Sequence, residues 1–205
     1  PNYPHVTGKN QIFLPNDRDV WFCSLNGVVK WDGSQFVPAL PISRADNTEV
    51  YSILQTAPGE YWIGGKGWIE HWQDGTGQNV ELPEGFLDKK SPILDSIQTR
   101  VGELWFSQLG RGLLRFKDGA WRQETLETGL PGNNIWSLYE AGDGTIWAGD
   151  RTNGVMSYKD GRWIQYGFDD GLPLGPVVSI VEDDQNTVWL GLEKAGIYQY
   201  QPDRD

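Results

Sequence analysis

The 205-residue sequence is poor in the residues that staple, ligate or catalyse: it has one cysteine, one methionine and two histidines. Cys23 alone excludes an internal disulfide and any multi-cysteine metal site, and a lone small thiol of this kind is expected to be buried. His5 and His71 lie far apart, with no neighbouring carboxylate at a ligand or catalytic spacing, so each reads as a surface or inter-strand histidine and no metal or cofactor is implied. Positive charge is also scarce. Seventeen basic residues against twenty-eight acidic ones leave a net charge of −11, a field that repels nucleic acid and anionic lipid, so no nucleic-acid partner is expected. No apolar run approaches the roughly 20 residues of a spanning helix, and the N-terminus does not resemble a signal peptide. No direct membrane insertion is expected of this segment, and the start at Pro1 without a methionine suggests a processed protein or an excised domain.

What is abundant is tryptophan, with eleven copies, and glycine, with twenty-six. Aromatic runs punctuated by glycine turns are the composition of an all-β repeat protein. Trp21, Trp62, Trp105, Trp147 and Trp189 recur at intervals of 41, 43, 42 and 42, each followed two positions on by a small residue: Cys23, Gly64, Ser107, Gly149 or Gly191. A second marker follows each tryptophan in GVVKW, GWIEHW, GLLRF, GVMSY and GIYQY, where glycine opens an apolar run and an aromatic closes it. Asp32-Gly33, Asp74-Gly75, Asp118-Gly119 and Asp160-Gly161 come next, the pair preferred by two-residue hairpins because both central residues take positive φ. Upstream of the tryptophans lie IFL, VYSIL, ILDSI, IWSLY and VVSIV. No segment keeps helical spacing long enough for a helix, so four short strands per repeat and almost no helix are predicted.

Four antiparallel strands in about 42 residues, in tandem, are the pattern of a β-propeller blade. The predicted fold is therefore all-β: a five-bladed β-propeller of four-stranded antiparallel blades forming a single domain over 1–205. Its repeats run over about 7–42, 43–84, 85–127, 128–170, and 171–205 plus 1–6. The last repeat lacks its outermost strand, while Pro1 to Val6 have no place in the first. Pairing of Tyr3–Val6 with Ile197–Tyr200 would close the ring, with Pro4 tolerated on an outer edge. The competing reading is an arc of a larger ring.

The segments GLPGNNIWSLYEAGDGTIWAGDRTNGVMSYKDGRWIQY (129–166) and GLPLGPVVSIVEDDQNTVWLGLEKAGIYQY (171–200) resemble the two-component regulator propeller repeat. That family shows a Gly-Leu-Pro lead-in, a strand ending in Glu-Asp, an Asp-Gly turn, a Trp-x-Gly strand and a Gly-opened strand. The resemblance is weaker over 92–124 and degenerate in the first repeat, where the lead-in is absent and Cys23 replaces glycine. It implies a bacterial extracytoplasmic sensing or signalling-associated module, periplasmic or extracellular, with a carbohydrate-derived ligand or another protein as partner.

No nucleophile-elbow context surrounds any serine. The acidic residues Asp17, Asp19, Glu140, Asp143, Glu182, Asp183 and Asp184 lie mostly at the same turn of each repeat, where Asp is wanted for turn geometry, so no enzyme is expected. The loops after the last four tryptophan strands, GGKG, SQLGRG, GDRTNG and GLEKAG, each hold one cation. Lys66, Arg111, Arg151 and Lys194, with Asp150 and the lead-in residue Arg44, form the candidate ligand set, able to focus positive potential on a carboxylate, sulfate or phosphate. Local ion pairs of these cations with Asp150 and Glu193 are the competing reading. Asp46, Asp88, Lys89, Asp169 and Asp170 are further lead-in residues on the same expected rim, and Trp68 and Trp136, where other repeats carry aliphatics, read as packing residues or sugar-stacking platforms.

Overall fold

The structure, a computed structural model, describes residues 12–14, 19–42 and 49–200. The expected closing strand Tyr3–Val6 and the residues His5, Asp17, Arg44 and Asp46 lie outside these. The chain divides into two compact units, residues 1–96 and 97–205.

The first unit holds two four-stranded antiparallel sheets in simple meander order. One contains β1 (Ile12–Phe13), β2 (Trp21–Ser24), β3 (Gly27–Trp31) and β4 (Phe36–Leu40); the other contains β5 (Val50–Ala57), β6 (Glu60–Gly65), β7 (Trp68–Gln73) and β8 (Thr76–Asn79). Trp21, Cys23, Val28, Ile53, Ile63 and Trp72 are buried together in its core. Burial pushes the Cys23 thiol up to about 12, so it behaves as a small apolar side chain.

The division between the units runs through β9 (Ile93–Gln98), which belongs to the third sheet with β10 (Leu104–Gln108), β11 (Gly112–Lys117) and β12 (Ala120–Glu124). The fourth sheet comprises β13 (Ile135–Glu140), β14 (Ile146–Asp150), β15 (Val155–Lys159) and β16 (Arg162–Tyr166). The fifth has three strands among the described residues, β17 (Val177–Glu182), β18 (Val188–Leu192) and β19 (Gly196–Tyr200). The only helical pieces among the described residues are two 3-10 turns, Leu126–Thr128 and Phe168–Asp170, and no described helix is long and apolar enough to cross a membrane.

The repeated motifs map onto repeated geometry. Every second strand carries its tryptophan, and Trp105 and Trp147 are 1% and 4% exposed. The lead-in Gly-Leu-Pro ends a 3-10 turn on a left-handed glycine, Gly129 or Gly171, and drops the next leucine, Leu130 or Leu172, into the core. Asp74, Asp118 and Asp160 have φ near +50° and their glycines lie between +77° and +79°, which is the expected two-residue hairpin. Asp32-Gly33 departs from that expectation. Trp31 pairs with Phe36, so the loop has four residues, and the Asp32 carboxylate accepts the amides of Ser34 and Gln35, both at 2.9 Å. The aspartate there builds an Asx turn rather than a primed turn.

Candidate recognition site on the loops after the second strands

The loop between β14 and β15 is built around a buried carboxyl group. Asp150 closes β14 and is fully buried. One carboxylate oxygen accepts the Asn134 amide at 2.9 Å. The other accepts the amides of Thr152 and Asn153 at 2.8 and 2.9 Å, the Thr152 hydroxyl at 3.2 Å and the Asn153 side-chain amide at 3.1 Å. Five donors satisfy a carboxylate without any cation. Asp150 thus staples the lead-in segment to the loop that follows its own strand, and Gly132 is small because a Cβ there would lie 2.6 Å from the Asp150 carboxylate.

This staple orients Arg151. The Arg151 amide donates to the Asn134 carbonyl at 3.0 Å, its side chain is exposed, and its guanidinium lies 5.7 Å from the centroid of the Trp136 ring. Trp136 is available because β13 is bulged between Ile135 and Ser137, an insertion that re-aims one side chain. Of the two candidate platforms, Trp136 is half-buried beneath a cation, whereas Trp68 is 2% exposed and fills the space beside Gly65 as a packing residue.

Arg111 and Lys194 stand in the equivalent loops β10–β11 and β18–β19, and both are exposed. Lys194 adopts φ +67°, and the Arg111 amide donates to the Gln108 carbonyl at 2.9 Å while its carbonyl accepts Gln123 Nε2 at 3.4 Å. Lys66, in the first unit, is exposed and bridges Pro92 through its backbone. The expected set is therefore three exposed cations at equivalent loops of the second unit, a fourth in the first unit, and Asp150 as the internal support of one loop. Arg44 lies outside the described residues.

Asp19, Glu140, Asp143, Glu182 and Asp183 are engaged in local structure, and Asp17 lies outside the described residues. Burial opposes ionisation of Asp143, but the Lys159 ammonium and the Thr145 amide outweigh it and hold the carboxyl down to about 2. Asp183 is lowered chiefly by the Trp189 indole N–H at 2.8 Å and by the Thr187 amide. Glu140 accepts the Arg100 amide at 2.8 Å, Glu182 accepts the Gly142 amide, and Asp19 faces Lys30 at 4.0 Å. His71 stacks on Trp62 with centroids 4.4 Å apart and hydrogen-bonds Glu60 at 2.8 Å.

One arrangement escaped the sequence reading. Arg115 lies 4.4 Å from the Trp105 ring centroid and 5.1 Å from that of Tyr158, and its guanidinium pairs with Glu103 and Glu124 at 2.9 and 2.7 Å. The signal was present in the first three repeats, as an acid two residues before each tryptophan and a basic residue type, Lys, His or Arg, one residue before each closing aromatic.

Tandem meander sheets, each with a tryptophan on its second strand and a glycine-opened third strand, define the β-propeller class. Within it, residues 129–152 and 171–194 match the two component regulator propeller family and carry its repeat. Among solved structures, an extracellular domain ascribed to a hybrid two component system of B. thetaiotaomicron is similar with TM-score 0.76 and 22% identity, covering 94% of this chain and 27% of that one. One ascribed to a one component system of the same organism gives TM-score 0.72 and 20% identity, covering 97% and 28%. Virginiamycin B lyase from Staphylococcus aureus gives 0.69 and 17%, covering 93% and 68%. At these identities the likeness is one of fold, and the chain spans little more than a quarter of the extracellular domains it matches. A comparison with curated protein sequences gave no match.

Proposed function

We propose that the chain is a non-catalytic recognition module of a bacterial extracytoplasmic sensing protein, which binds a small anionic or carbohydrate-derived ligand through the loops that follow its second strands. The observation that carries this reading is the Asp150 staple, which spends a fully buried carboxylate on fixing a loop whose outward-facing product is Arg151 above Trp136. A fixed guanidinium beside an indole offers bidentate hydrogen bonding to a carboxylate and a stacking face for a sugar ring. Arg111 and Lys194 repeat the positive charge in equivalent loops. The likeness to extracellular domains ascribed to a two component and a one component system supports the sensing role and the compartment. Of the carboxylates weighed for a glycoside hydrolase, Asp19, Glu140, Asp143, Glu182 and Asp183 are engaged in turns, backbone hydrogen bonds or ion pairs.

Thermal-shift measurements with galacturonate, glucuronate and sulfate test the reading. A ligand at ten times its Kd should stabilise the fold by about 1.4 kcal/mol, and Arg111→Ala with Arg151→Ala should remove the shift. No stabilisation at tens of millimolar, or the same stabilisation in the double variant, would contradict it.

Closure is the second part of the proposal: the segment Tyr3–Val6 adds the fourth strand to the fifth sheet. Its support is that β19 is the last strand of its sheet among the described residues, with Ile197 74% exposed, an edge that native sheets ordinarily cover. Deleting residues 1–6 should lower Tm by several degrees, and an unchanged melt would remove the latch.

A further inference from the structure

In the first three repeats a basic residue accompanies each second-strand tryptophan. Lys30, His71 and Arg115 stand directly across the ladder from Trp21, Trp62 and Trp105. Each is held by the acid two residues before the tryptophan, at 4.0 Å for Asp19, 2.8 Å for Glu60 and 2.9 Å for Glu103. The third repeat shows the full form: the Arg115 guanidinium lies between the indole of Trp105 and the ring of Tyr158 from the neighbouring sheet.

The fourth repeat keeps the rings and loses the cation. Ser157 stands across from Trp147, and Thr145 replaces the acid. Tyr200, in the register position of Tyr158, supplies the facing ring at 5.1 Å from Trp147, and Tyr166 adds a third at 5.7 Å from Trp147 and 5.0 Å from Tyr200. A groove of about 430 Å³ opens over these rings, lined also by Thr145, Ser157 and the carboxylates of Asp143 and Glu182. Lys159 reaches the same groove, but its ammonium is tied to Asp143.

We infer that this groove is a binding site for an organic cation of the guanidinium type, which takes from solution the place that Arg115 takes over Trp105. The electron-rich faces of three rings attract a cation, and the two carboxylates against one lysine leave the lining net negative. The short hydroxyls of Thr145 and Ser157 leave room for the group and can accept its N–H donors. This site is separate from the loop cations of the proposed function and selects the opposite charge, so a single protein would read two ligand classes at two places.

The test is a titration of the full chain with Nα-acetylarginine methylamide, following the Trp147 indole N–H resonance, with Nα-acetylcitrulline methylamide as the neutral isostere. A saturable shift with a Kd of about 1–10 mM is expected for the arginine compound, at least tenfold weaker for citrulline. Ser157→Arg supplies the missing cap from within and should abolish binding; Glu182→Gln should weaken it about threefold, and it carries the test should Ser157→Arg not fold. Binding should survive Arg111→Ala with Arg151→Ala, which separates this site from the anion site. Equal shifts with both compounds, or binding unchanged in both Ser157→Arg and Glu182→Gln, would overturn the assignment.

Discussion

At the scale of single residues, the small side chain two positions after each tryptophan is dictated by what crosses behind it. A Cβ on Gly149 would lie 2.3 Å from Ser137 Oγ and 2.7 Å from the Val177 carbonyl, and Ser137 Oγ donates to that same carbonyl at 2.9 Å. Gly149→Ala must therefore break a hydrogen bond from the fourth sheet to the fifth or push the strands apart. A loss of about 2 kcal/mol is expected in urea unfolding, as for other overpacked cores. Asp143 makes a different kind of contribution. Its folded-state carboxyl titrates at about 2 against an ordinary 3.8, so its pairing stabilises the fold above about pH 4 and is lost as the pH falls toward 2. Both partners are about half exposed, 51% for Lys159 and 56% for Asp143, which limits the effect to under about 1 kcal/mol. The stability gap between the wild type and Asp143→Asn should be constant from pH 7 to 5 and shrink below pH 4.

At the scale of elements, the clamp of Glu103, Arg115 and Glu124 pins the third sheet to Tyr158 of the fourth. Burial disfavours the Arg115 charge, yet the bonds to Glu124 and Tyr158 and the charge of Glu103 raise its pKa. Arg115→Met would leave two carboxylates, each only 13–14% exposed, facing one another without a cation. The expected loss is about 3 kcal/mol in urea unfolding, with part of it recovered when Glu103→Gln is added; a loss below about 0.5 kcal/mol, the scale of an ordinary surface pair, would show that the clamp is a solvated ion pair. Much of this level was legible in the sequence, because strands and two-residue turns depend on neighbours in the chain. The tryptophan period located all five second strands, and Asp-Gly located three of the four hairpin turns; at Asp32, the carboxylate captured two nearby amides and opened a longer loop. Long-range roles were less legible. Asp150 looked like a ligand residue because its partner Asn134 lies in the lead-in, on the far side of β13 and β14, and the role of Arg115 went unread because the second ring it meets, Tyr158, belongs to the next repeat.

At the scale of the whole chain, each unit carries buried clusters of its own, with Trp21, Ile63 and Trp72 in the first and Trp105, Ile135, Trp147 and Val177 in the second. Repetition supplies the fold, and the places where repetition breaks are where binding is proposed: Arg151 with Trp136, and the groove beside Trp147, Tyr166 and Tyr200, where Ser157 stands in place of a basic residue. The central claim is that a protein of net charge −11 uses a few fixed loop cations to hold an anionic or sugar-acid ligand, and calorimetric titration tests it most directly. Galacturonate and glucuronate should be titrated at two salt concentrations into the wild type and into Arg111→Ala with Arg151→Ala. The account predicts saturable binding to the wild type that weakens with salt and disappears in the double variant. Binding that is indifferent both to salt and to the loss of the two arginines, or no binding by any acidic ligand, would contradict it.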